Sequence, residues 1–192
     1  MTTRKGFEHS FDYIVVGGGS AGCVLANRLS EDGRFRILLL EAGRKRPGFF
    51  STMPSGFARF IHSPTFNWLY RGQSFAQQTT YTPRGKGLGG SSAINGQVFL
   101  GGLPDDFDMW ADWGNDEWSF EKVLPVFRRL ETDMDFHDDF HGTDGPIICH
   151  RFERDEWLPA QNAFYNACKR LGYSEVSDLN HPDATGVGPI PC

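Results

Sequence analysis

The sequence has no long apolar run, and its few cysteines form no motif. No segment approaches the roughly 20 apolar residues that span a bilayer, so no membrane-spanning helix is expected. The four cysteines lie far apart without a C-x-x-C pair, which argues against a disulfide framework and a thiolate metal site. Residues 1–10 are polar, lack the apolar core of a signal peptide and are expected to be mobile. The expected location is therefore the cytoplasm.

Positive charge is also scarce. The 192 residues carry a net charge of −5 at pH 7, and their basic residues are scattered. We therefore expect no surface that binds nucleic acid. The sequence supplies only two clear parallel strands, whereas a doubly wound sheet needs several more to bury both faces. An incomplete sheet is therefore expected.

A glycine motif stands between a β-branched strand at residues 11–16 and a predicted helix. Gly17 and Gly19 allow a tight turn close to a pyrophosphate, and Gly22 allows the helix to pack close to the strand. The strand, loop, helix, second strand and closing acid, Glu41, follow the order of a dinucleotide-binding unit. The sequence therefore predicts a site for an adenine dinucleotide.

The expected ligand contacts follow from backbone and side-chain chemistry. Phosphates should meet the free N–H groups of the first helical turn, from Ser20 onward, at the positive end of the helix dipole. Glu41 can accept hydrogen bonds from both ribose hydroxyls and would repel a ribose phosphate. An NADP-type ligand is therefore disfavoured.

Hydrophobic periodicity predicts the other elements. The pattern predicts helices over 20–30, 104–113, 119–131 and 156–171, and strands over 36–41 and 147–152. Residues 36–41 should be buried on both faces, Ser119 should cap its helix, and the acidic stretch 132–145 should form a surface loop. The last helix is expected to bury one stripe: Ala160, Ala163, Phe164, Ala167, Cys168 and Leu171.

A second glycine-rich segment resembles a family signature. Residues 86–95, Lys-Gly-Leu-Gly-Gly-Ser-Ser-Ala-Ile-Asn, followed by Gly-Gln-Val-Phe, closely resemble the first signature of the glucose-methanol-choline (GMC) oxidoreductases. The resemblance covers nearly the whole chain after residue 10 and is nearest to the choline-dehydrogenase-like branch. Further matching segments are 67–70, 83–86, 106–110, 123–127 and 141–146.

This resemblance implies an α/β fold and a flavin cofactor. The fold would be a Rossmann-type FAD-binding domain over residues 11–150, with the start of a substrate-binding domain at 151–192. Some relatives bind flavin covalently through a histidine, and the aligned position here is Ile94. Noncovalent FAD is therefore expected.

The resemblance also assigns residues to the two ends of FAD. Gly89 and Gly90 would let the backbone approach a flat ligand, and Trp68 would line the flavin cavity. The residues expected on the flavin side are Ser91, Asn95, Gly96 and Val98. Those expected on the ADP side are Gly17, Gly19, Ser20, Ala21, Gly22, Glu41 and Ala42.

The implied reaction is oxidation of a primary alcohol to an aldehyde, with hydride transfer to flavin N5. The family's catalytic histidine would lie after Cys192, so we expect no catalytic residue in this chain, and the missing C-terminal half is an expected partner beside the alcohol. His137 and His141 have a spacing that suits a metal site on a helix, but the surrounding Gly and Asp residues argue against a helix. No metal is expected.

Three alternatives stay open at this point. A GMC-fold lyase or flavin photoenzyme would keep the same FAD-holding residues but perform different chemistry. An NAD-dependent dehydrogenase would use the first glycine motif alone. A non-catalytic, truncated FAD-binding fragment would serve only as a binding or assembly piece.

Overall fold

The computed structural model describes residues 10–44, 62–73 and 78–192. The chain divides into two units, residues 1–97 and 98–192. The predicted mobile N-terminus falls outside the described residues except for Ser10. The predicted domain boundary near residue 150 stays a prediction. Within the described ranges, no helix is both long enough and apolar enough to cross a membrane.

The first unit begins with a β-α-β arrangement. Strand β1 (Tyr13–Val16) leads through the glycine loop into helix α1 (Ser20–Ser30), and strand β2 (Ile37–Leu40) returns parallel to β1. Tyr13 is paired with Ile37, and the register continues to the ends of both strands. The parallel pairing places the loop after β1 and the acid after β2 at the same edge.

A hairpin and a short helical turn follow among the described residues of the first unit. Strands β3 (Tyr70–Gln73) and β4 (Thr79–Thr82) pair antiparallel, and a 3-10 turn follows at Gly90–Ala93. An isolated bridge between Asn67 and Gly85 joins the segments that flank the hairpin. The second glycine segment therefore returns to the chain that precedes β3.

The prediction that the second strand is buried on both faces is wrong. Leu40 is 46% exposed, and in the neighbouring strand Ile14 and Val16 are 60% and 82% exposed. Burying both faces needs neighbours on either side, and β1 and β2 form a two-stranded sheet. The expected incomplete sheet is confirmed: the sheets of the described residues are small and open.

The second unit is mainly helical, with one short parallel sheet. Its helices and strands are α2 (Pro104–Asp112), α3 (Phe120–Leu130), β5 (Glu131–Asp133), β6 (Ile147–Cys149) and α4 (Pro159–Arg170). The predicted helices match these bounds closely, whereas the observed strand β6 is shorter than the predicted strand over 147–152. Aromatic packing connects α2 and α3, with the Phe107 and Phe127 ring centroids 5.5 Å apart.

Helix α3 is capped by a residue that the sequence pattern did not indicate. Ser119 occupies the N-cap position, but its side chain makes no capping hydrogen bond. Instead, the first N–H of the helix, on Phe120, donates to the Asp108 carboxylate at 2.9 Å. Asp108 lies on α2, so this cap depends on tertiary packing and local sequence could not reveal it.

The predicted buried stripe of the last helix is also wrong. Phe164 and Leu171 are 66% and 77% exposed, and Tyr165 on another side of α4 is only 4% exposed. The Tyr165 ring packs against Trp157, at 5.3 Å between centroids, and the Arg154 guanidinium lies 4.2 Å from its centre. The other predicted stripe residues are exposed or half-buried: Ala160, Ala163, Ala167 and Cys168.

Candidate dinucleotide site

The glycine loop after β1 opens directly into α1. The Gly17 N–H donates to the Leu40 carbonyl at 2.7 Å, which fixes the start of the loop to the end of β2. The hydrogen-bond ladder of α1 begins with the Cys23 N–H, which donates to the Gly19 carbonyl at 2.9 Å. The N–H groups of Ser20, Ala21 and Gly22 therefore precede the ladder, and such groups at a helix N-terminus suit an anion.

Gly22 provides the close approach that the sequence motif predicted. A Cβ atom at this position would overlap the carbonyl group of Gly17, and it would touch the Val15 side chain at 3.4 Å. The first turn of α1 can therefore lie against the loop only because Gly22 has no side chain.

The Glu41 carboxylate holds two backbone segments together. Its Oε2 atom accepts the Gly18 N–H at 2.7 Å, and its Oε1 atom accepts the Gly43 N–H at 2.7 Å. The hydrogen bond from Gly43, with help from Gly18 and against a smaller effect of burial, lowers the pKa of Glu41. The backbone N–H groups of Gly87 and Ala42 also help to lower the pKa of Glu41, and an ionised carboxylate offers about four acceptor positions in all.

The second glycine segment lies directly against the first. The Gly89 N–H donates to the Gly18 carbonyl at 2.7 Å, and Gly19 and Gly89 form a parallel bridge. Gly90 has a φ of +55°, and a Cβ atom there would lie 2.8 Å from the Gly19 Cα. Two segments that are distant in sequence thus form one glycine-lined surface.

The chain after Glu41 joins the same surface. Ala42 is exposed between Glu41 and Gly43. Arg44 then bridges Gly87, and the Leu88 N–H donates to the Arg44 carbonyl at 3.3 Å. The predicted ADP-side and flavin-side segments are therefore adjacent in space around Gly87 and Gly89.

Ser91 and Trp68 flank this surface in the first unit. The exposed Ser91 accepts the Gly85 N–H at its Oγ atom, 3.1 Å away, and its own hydroxyl hydrogen can still be donated. Trp68 is 44% exposed, and the Lys86 Nζ atom lies 4.4 Å from its ring centre. Both side chains are accessible to a ligand.

The remaining predicted contacts lie in an exposed stretch. Asn95 and Gly96 are exposed, and the Asn95 Oδ1 atom accepts the Gln97 N–H at 3.0 Å. Gln97 has a φ of +62°, which is uncommon for a residue with a side chain. Val98 is 52% exposed and is the first residue of the second unit.

The second unit contains a buried ionic cluster that sequence reasoning missed. Arg151 is 7% exposed and donates from Nη1 to both oxygens of Asp133, at 3.0 and 2.9 Å, and from Nη2 to Asp178 at 2.6 Å. Burial opposes the charge of Arg151, but the bonds to Asp133 and Asp178 outweigh it and raise its pKa. The prediction that 132–145 is a surface loop holds for most of residues 134–145, which lie outside helices and strands and are largely exposed. It is wrong for Asp133 and His141, which are 0% and 1% exposed.

His141 is not arranged with His137 in the metal site that the spacing of the two residues suggested. Its Nδ1 atom lies 2.7 Å from Asp138, and its Nε2 atom lies 3.2 Å from Asp178. His137 itself is exposed. Because both imidazole nitrogens of His141 face carboxylates, this residue belongs to the ionic cluster.

One buried group has the side chains of a metal site, with ligand atoms of Glu131, Asp133 and Cys149 within 4.8 Å of one another. Asp133 already accepts Arg151 at both oxygens, as well as the N–H groups of Asp135 and Phe136. Burial, with the Asp133 and Glu131 charges, raises the pKa of Cys149 to about 12. The group is therefore an interior network of donors and acceptors. The sequence signal that it left was the single basic residue, Arg151, following an acidic stretch.

Comparison with known proteins places this geometry among flavoenzymes. A family model described as GMC oxidoreductase matches residues 11–192. The chain is 41% identical over 186 residues to an oxygen-dependent choline dehydrogenase of Vibrio vulnificus, covering 95% of this chain and 33% of that protein. An oxygen-dependent choline dehydrogenase of Brucella ovis is 36% identical over 182 residues, covering 93% of this chain and 33% of that protein.

Solved structures agree with the family match. Pyridoxine 4-oxidase from Mesorbium loti superposes with a TM-score of 0.88 at 34% identity, covering 95% of this chain and 36% of that chain. Formate oxidase from Aspergillus oryzae, a structure that concerns FAD modification, superposes with a TM-score of 0.83 at 28% identity and covers 94% and 34%. The chain thus spans about a third of the length of the relatives that it matches.

Proposed function

This chain belongs to the GMC oxidoreductase family, and from that premise we propose that it supplies the FAD-holding part of an enzyme that oxidises a primary alcohol to an aldehyde. The observation that carries the proposal is the meeting of both glycine segments at Gly18, Gly19 and Gly89, next to the Glu41 carboxylate. A dinucleotide needs backbone donors for its phosphates and an acid for its ribose, and this surface offers both.

The residues present fit FAD. The N–H groups of Ser20, Ala21 and Gly22 would hold the pyrophosphate, and the Glu41 carboxylate would accept hydrogen bonds from the ribose hydroxyls. We propose that Ala42 lies beside the ADP half. On the flavin side we propose contacts from Trp68, Gly89, Gly90, Ser91, Asn95, Gly96 and Val98.

We propose that the cofactor is held noncovalently. Ile94, which aligns with the histidine that some relatives link to flavin, is 8% exposed and has no nucleophilic atom. When bound, FAD supplies the acceptor for the hydride that leaves the alcohol carbon. The chain's own residues bind and orient that acceptor through backbone N–H groups, the Glu41 carboxylate and the Ser91 hydroxyl.

Removal of the hydroxyl proton needs a base, and we propose that it comes from the part of the complete enzyme that relatives have beyond this segment. His141, one of the two histidines whose spacing suggested a site, does not offer one. His141 faces the carboxylates of Asp138 and Asp178 and is 1% exposed, so it cannot reach a substrate. The cytoplasmic location predicted from the sequence also stays a prediction.

The three alternative functions lead to different expectations. The NAD-dependent alternative does not fit the family, since one solved relative is described as an FAD-dependent oxidoreductase. The lyase and photoenzyme alternatives keep the same FAD-holding residues and differ only in chemistry. The non-catalytic fragment would bind FAD without turnover.

Anaerobic reduction of the flavin by alcohols tests the proposal. The complete protein that carries this chain is mixed with choline, pyridoxine or benzyl alcohol, and the visible flavin absorbance is followed. We expect at least one primary alcohol to bleach it. Glycine betaine, which resembles choline but has no hydroxyl group, is the matched control and should leave it unchanged. Bleaching by none of a broad set of primary alcohols would contradict alcohol oxidation and favour the alternatives.

A further inference from the structure

The ammonium group of Lys86 and the indole of Trp68 form a cation–π contact within the first unit. The Lys86 Nζ atom lies 4.4 Å from the Trp68 ring centre, inside the range of roughly 6 Å over which an aromatic ring attracts a cation. Lys86 is half-buried, and among the described residues no carboxylate is paired with it. Trp68 is 44% exposed. The cation therefore has the indole as its observed partner, while much of that ring stays open.

The backbone holds both residues on one antiparallel ladder. The Trp68 N–H donates to the Arg84 carbonyl at 2.9 Å, and the Lys86 N–H donates to the Phe66 carbonyl at 2.8 Å. These bonds place the two backbone segments side by side, but they leave the indole free to rotate about its own side-chain bonds. The Tyr70 ring lies nearly parallel to the indole, with 6.3 Å between centroids. The contacts with Tyr70 and Lys86 therefore set the plane of the indole.

The turn that carries Ser91 packs on the same ladder. The Gly85 N–H donates to the Ser91 Oγ atom at 3.1 Å. A Cβ atom at Gly85 would overlap the Gly90 carbonyl group, so the turn approaches the ladder as closely as a backbone without side chains allows. The side chains of Trp68, Lys86 and Ser91 therefore belong to one packed part of the first unit.

Resting on the proposed function, in which Trp68 and Ser91 contact the flavin, we propose that Lys86 is a positioning residue for the flavin side of the site. It orients the Trp68 indole before FAD binds, and it does not itself touch the cofactor. Without the cation, the exposed indole gains rotational freedom, and FAD has to order it on binding at a cost in affinity. Lys86 thus preorganises a surface for a flat aromatic ligand.

The test is a double-mutant cycle in the complete protein, with affinity measured by fluorescence titration of the apoprotein with FAD. Lys86→Met removes the charge and keeps the chain length. We expect it to weaken FAD binding by about 2- to 5-fold, the range for an exposed cation–π contact. Trp68→Leu removes the ring. In the W68L background, K86M should leave the affinity unchanged, because Lys86 acts through the indole.

Two controls isolate the contact. Lys86→Arg keeps a cation that can lie over the ring, so it should bind FAD as the wild type does. Arg71→Met is the matched control, because Arg71 makes the same kind of contact with Tyr81, at 5.8 Å, on the hairpin of β3 and β4. It should leave the affinity unchanged. The visible circular dichroism of the bound flavin should change in K86M and stay at the wild-type spectrum in R71M.

The outcomes distinguish the two proposals. A wild-type protein that binds no FAD would overturn the proposed function, and this inference with it. Wild-type affinity in K86M would overturn the inference alone. An equal loss of affinity with and without the Trp68 ring would also overturn it, since Lys86 would then act on the cofactor directly.

Should K86M fail to fold, NMR spectroscopy of the wild-type apoprotein with isotope-labelled lysine decides. A cation above an indole lies in the ring-current field, so the Lys86 Hε protons should be shifted upfield and should return to ordinary values in W68L. Ordinary Hε shifts in the wild-type apoprotein would overturn the inference, because Lys86 would not hold the ring before FAD binds.

Discussion

A carboxylate that accepts two backbone N–H groups is a strong hydrogen-bond acceptor, and Glu41 does this with Gly18 and Gly43. Its sequence position at the end of the second strand predicted a ribose acceptor. What the structure shows is that the same side chain holds the glycine loop in place through Gly18, and the ribose contact is a proposal. The two observed hydrogen bonds use one carboxylate oxygen each, so replacing Glu41 by the equally shaped glutamine should disturb the loop.

We expect Glu41→Gln to weaken FAD binding by about 10- to 100-fold, the range for losing one charge-assisted hydrogen bond. A glutamine places an NH₂ group against a backbone N–H, and it loses one ribose acceptor. Fluorescence titration of the apoprotein with FAD measures the effect. Glu31→Gln is the control, because Glu31 is an exposed acid paired with Arg28. Equal affinities of the two variants would contradict the role of Glu41.

The lowered pKa of Glu41 gives a pH dependence with a defined sign. The ionised form is favoured in the folded state, so its stabilising effect is present above the ordinary value of 4.5 and is lost as pH falls through the lowered folded value. Thermal unfolding of the wild-type protein and of E41Q measures their difference in stability. The range of about pH 3 to pH 7 covers both sides of the ordinary carboxyl value. The difference between the two proteins should shrink on acidification, and a difference that grows would contradict the assignment.

Cys149 should be the least reactive of the four thiols. Its pKa is raised to about 12 by burial, and its side chain is fully buried. The thiolate is the nucleophile, so iodoacetamide at neutral pH should label the half-buried thiols and leave Cys149 unlabelled until the protein unfolds. Mass spectrometry of peptides identifies the labelled positions. Labelling of Cys149 at the rate of Cys168 in the native protein would contradict its burial.

At the scale of helices and strands, local sequence determined the element types and tertiary contacts determined their details. Helix α1 has its predicted bounds because the glycine loop and a regular apolar pattern define it. The cap of α3 and the buried side of α4 were mispredicted because Asp108 and Arg154 act from neighbouring segments. No periodicity in the helix itself carries that information.

The cap of α3 provides a direct comparison of sequence and structure. We expect Asp108→Ala to reduce the free energy of unfolding by about 1 kcal/mol, the usual effect of losing an N-terminal cap. Ser119→Ala should change it by only a few tenths, since Ser119 makes no capping side-chain bond. Urea denaturation of both variants measures the difference. A larger loss in S119A than in D108A would support the local sequence prediction instead.

The contact between α1 and its loop is equally testable. A Cβ atom at Gly22 would overlap the Gly17 carbonyl, so we expect Gly22→Ala to destabilise the protein by about 1–3 kcal/mol, as overpacking does. Gly72→Ala is the control, because the nearest atom to a Cβ there is 3.7 Å away. Thermal melting compares them. Equal melting temperatures would show that α1 does not lie against the loop.

At the scale of the whole molecule, the sequence predicted the family and the fold better than the packing of the individual elements. The residues of the two glycine segments are recognisable because backbone approach to a dinucleotide permits few alternatives at Gly22 and Gly90. The buried cluster around Arg151 was invisible because an acidic stretch resembles a solvated loop until its partners are known. Burial of β2 was overestimated because burial of both faces depends on neighbouring strands.

The central claim is that this family member holds FAD noncovalently at the glycine surface beside Glu41. The most direct measurement is cofactor analysis of the complete purified protein before and after acid denaturation, with the precipitate and the supernatant examined separately. We predict a flavin spectrum in the native protein and FAD in the supernatant, since Ile94 offers no atom for a covalent bond. Flavin that stays with the precipitated polypeptide, or a native protein that carries no flavin and binds NAD instead, would contradict the account.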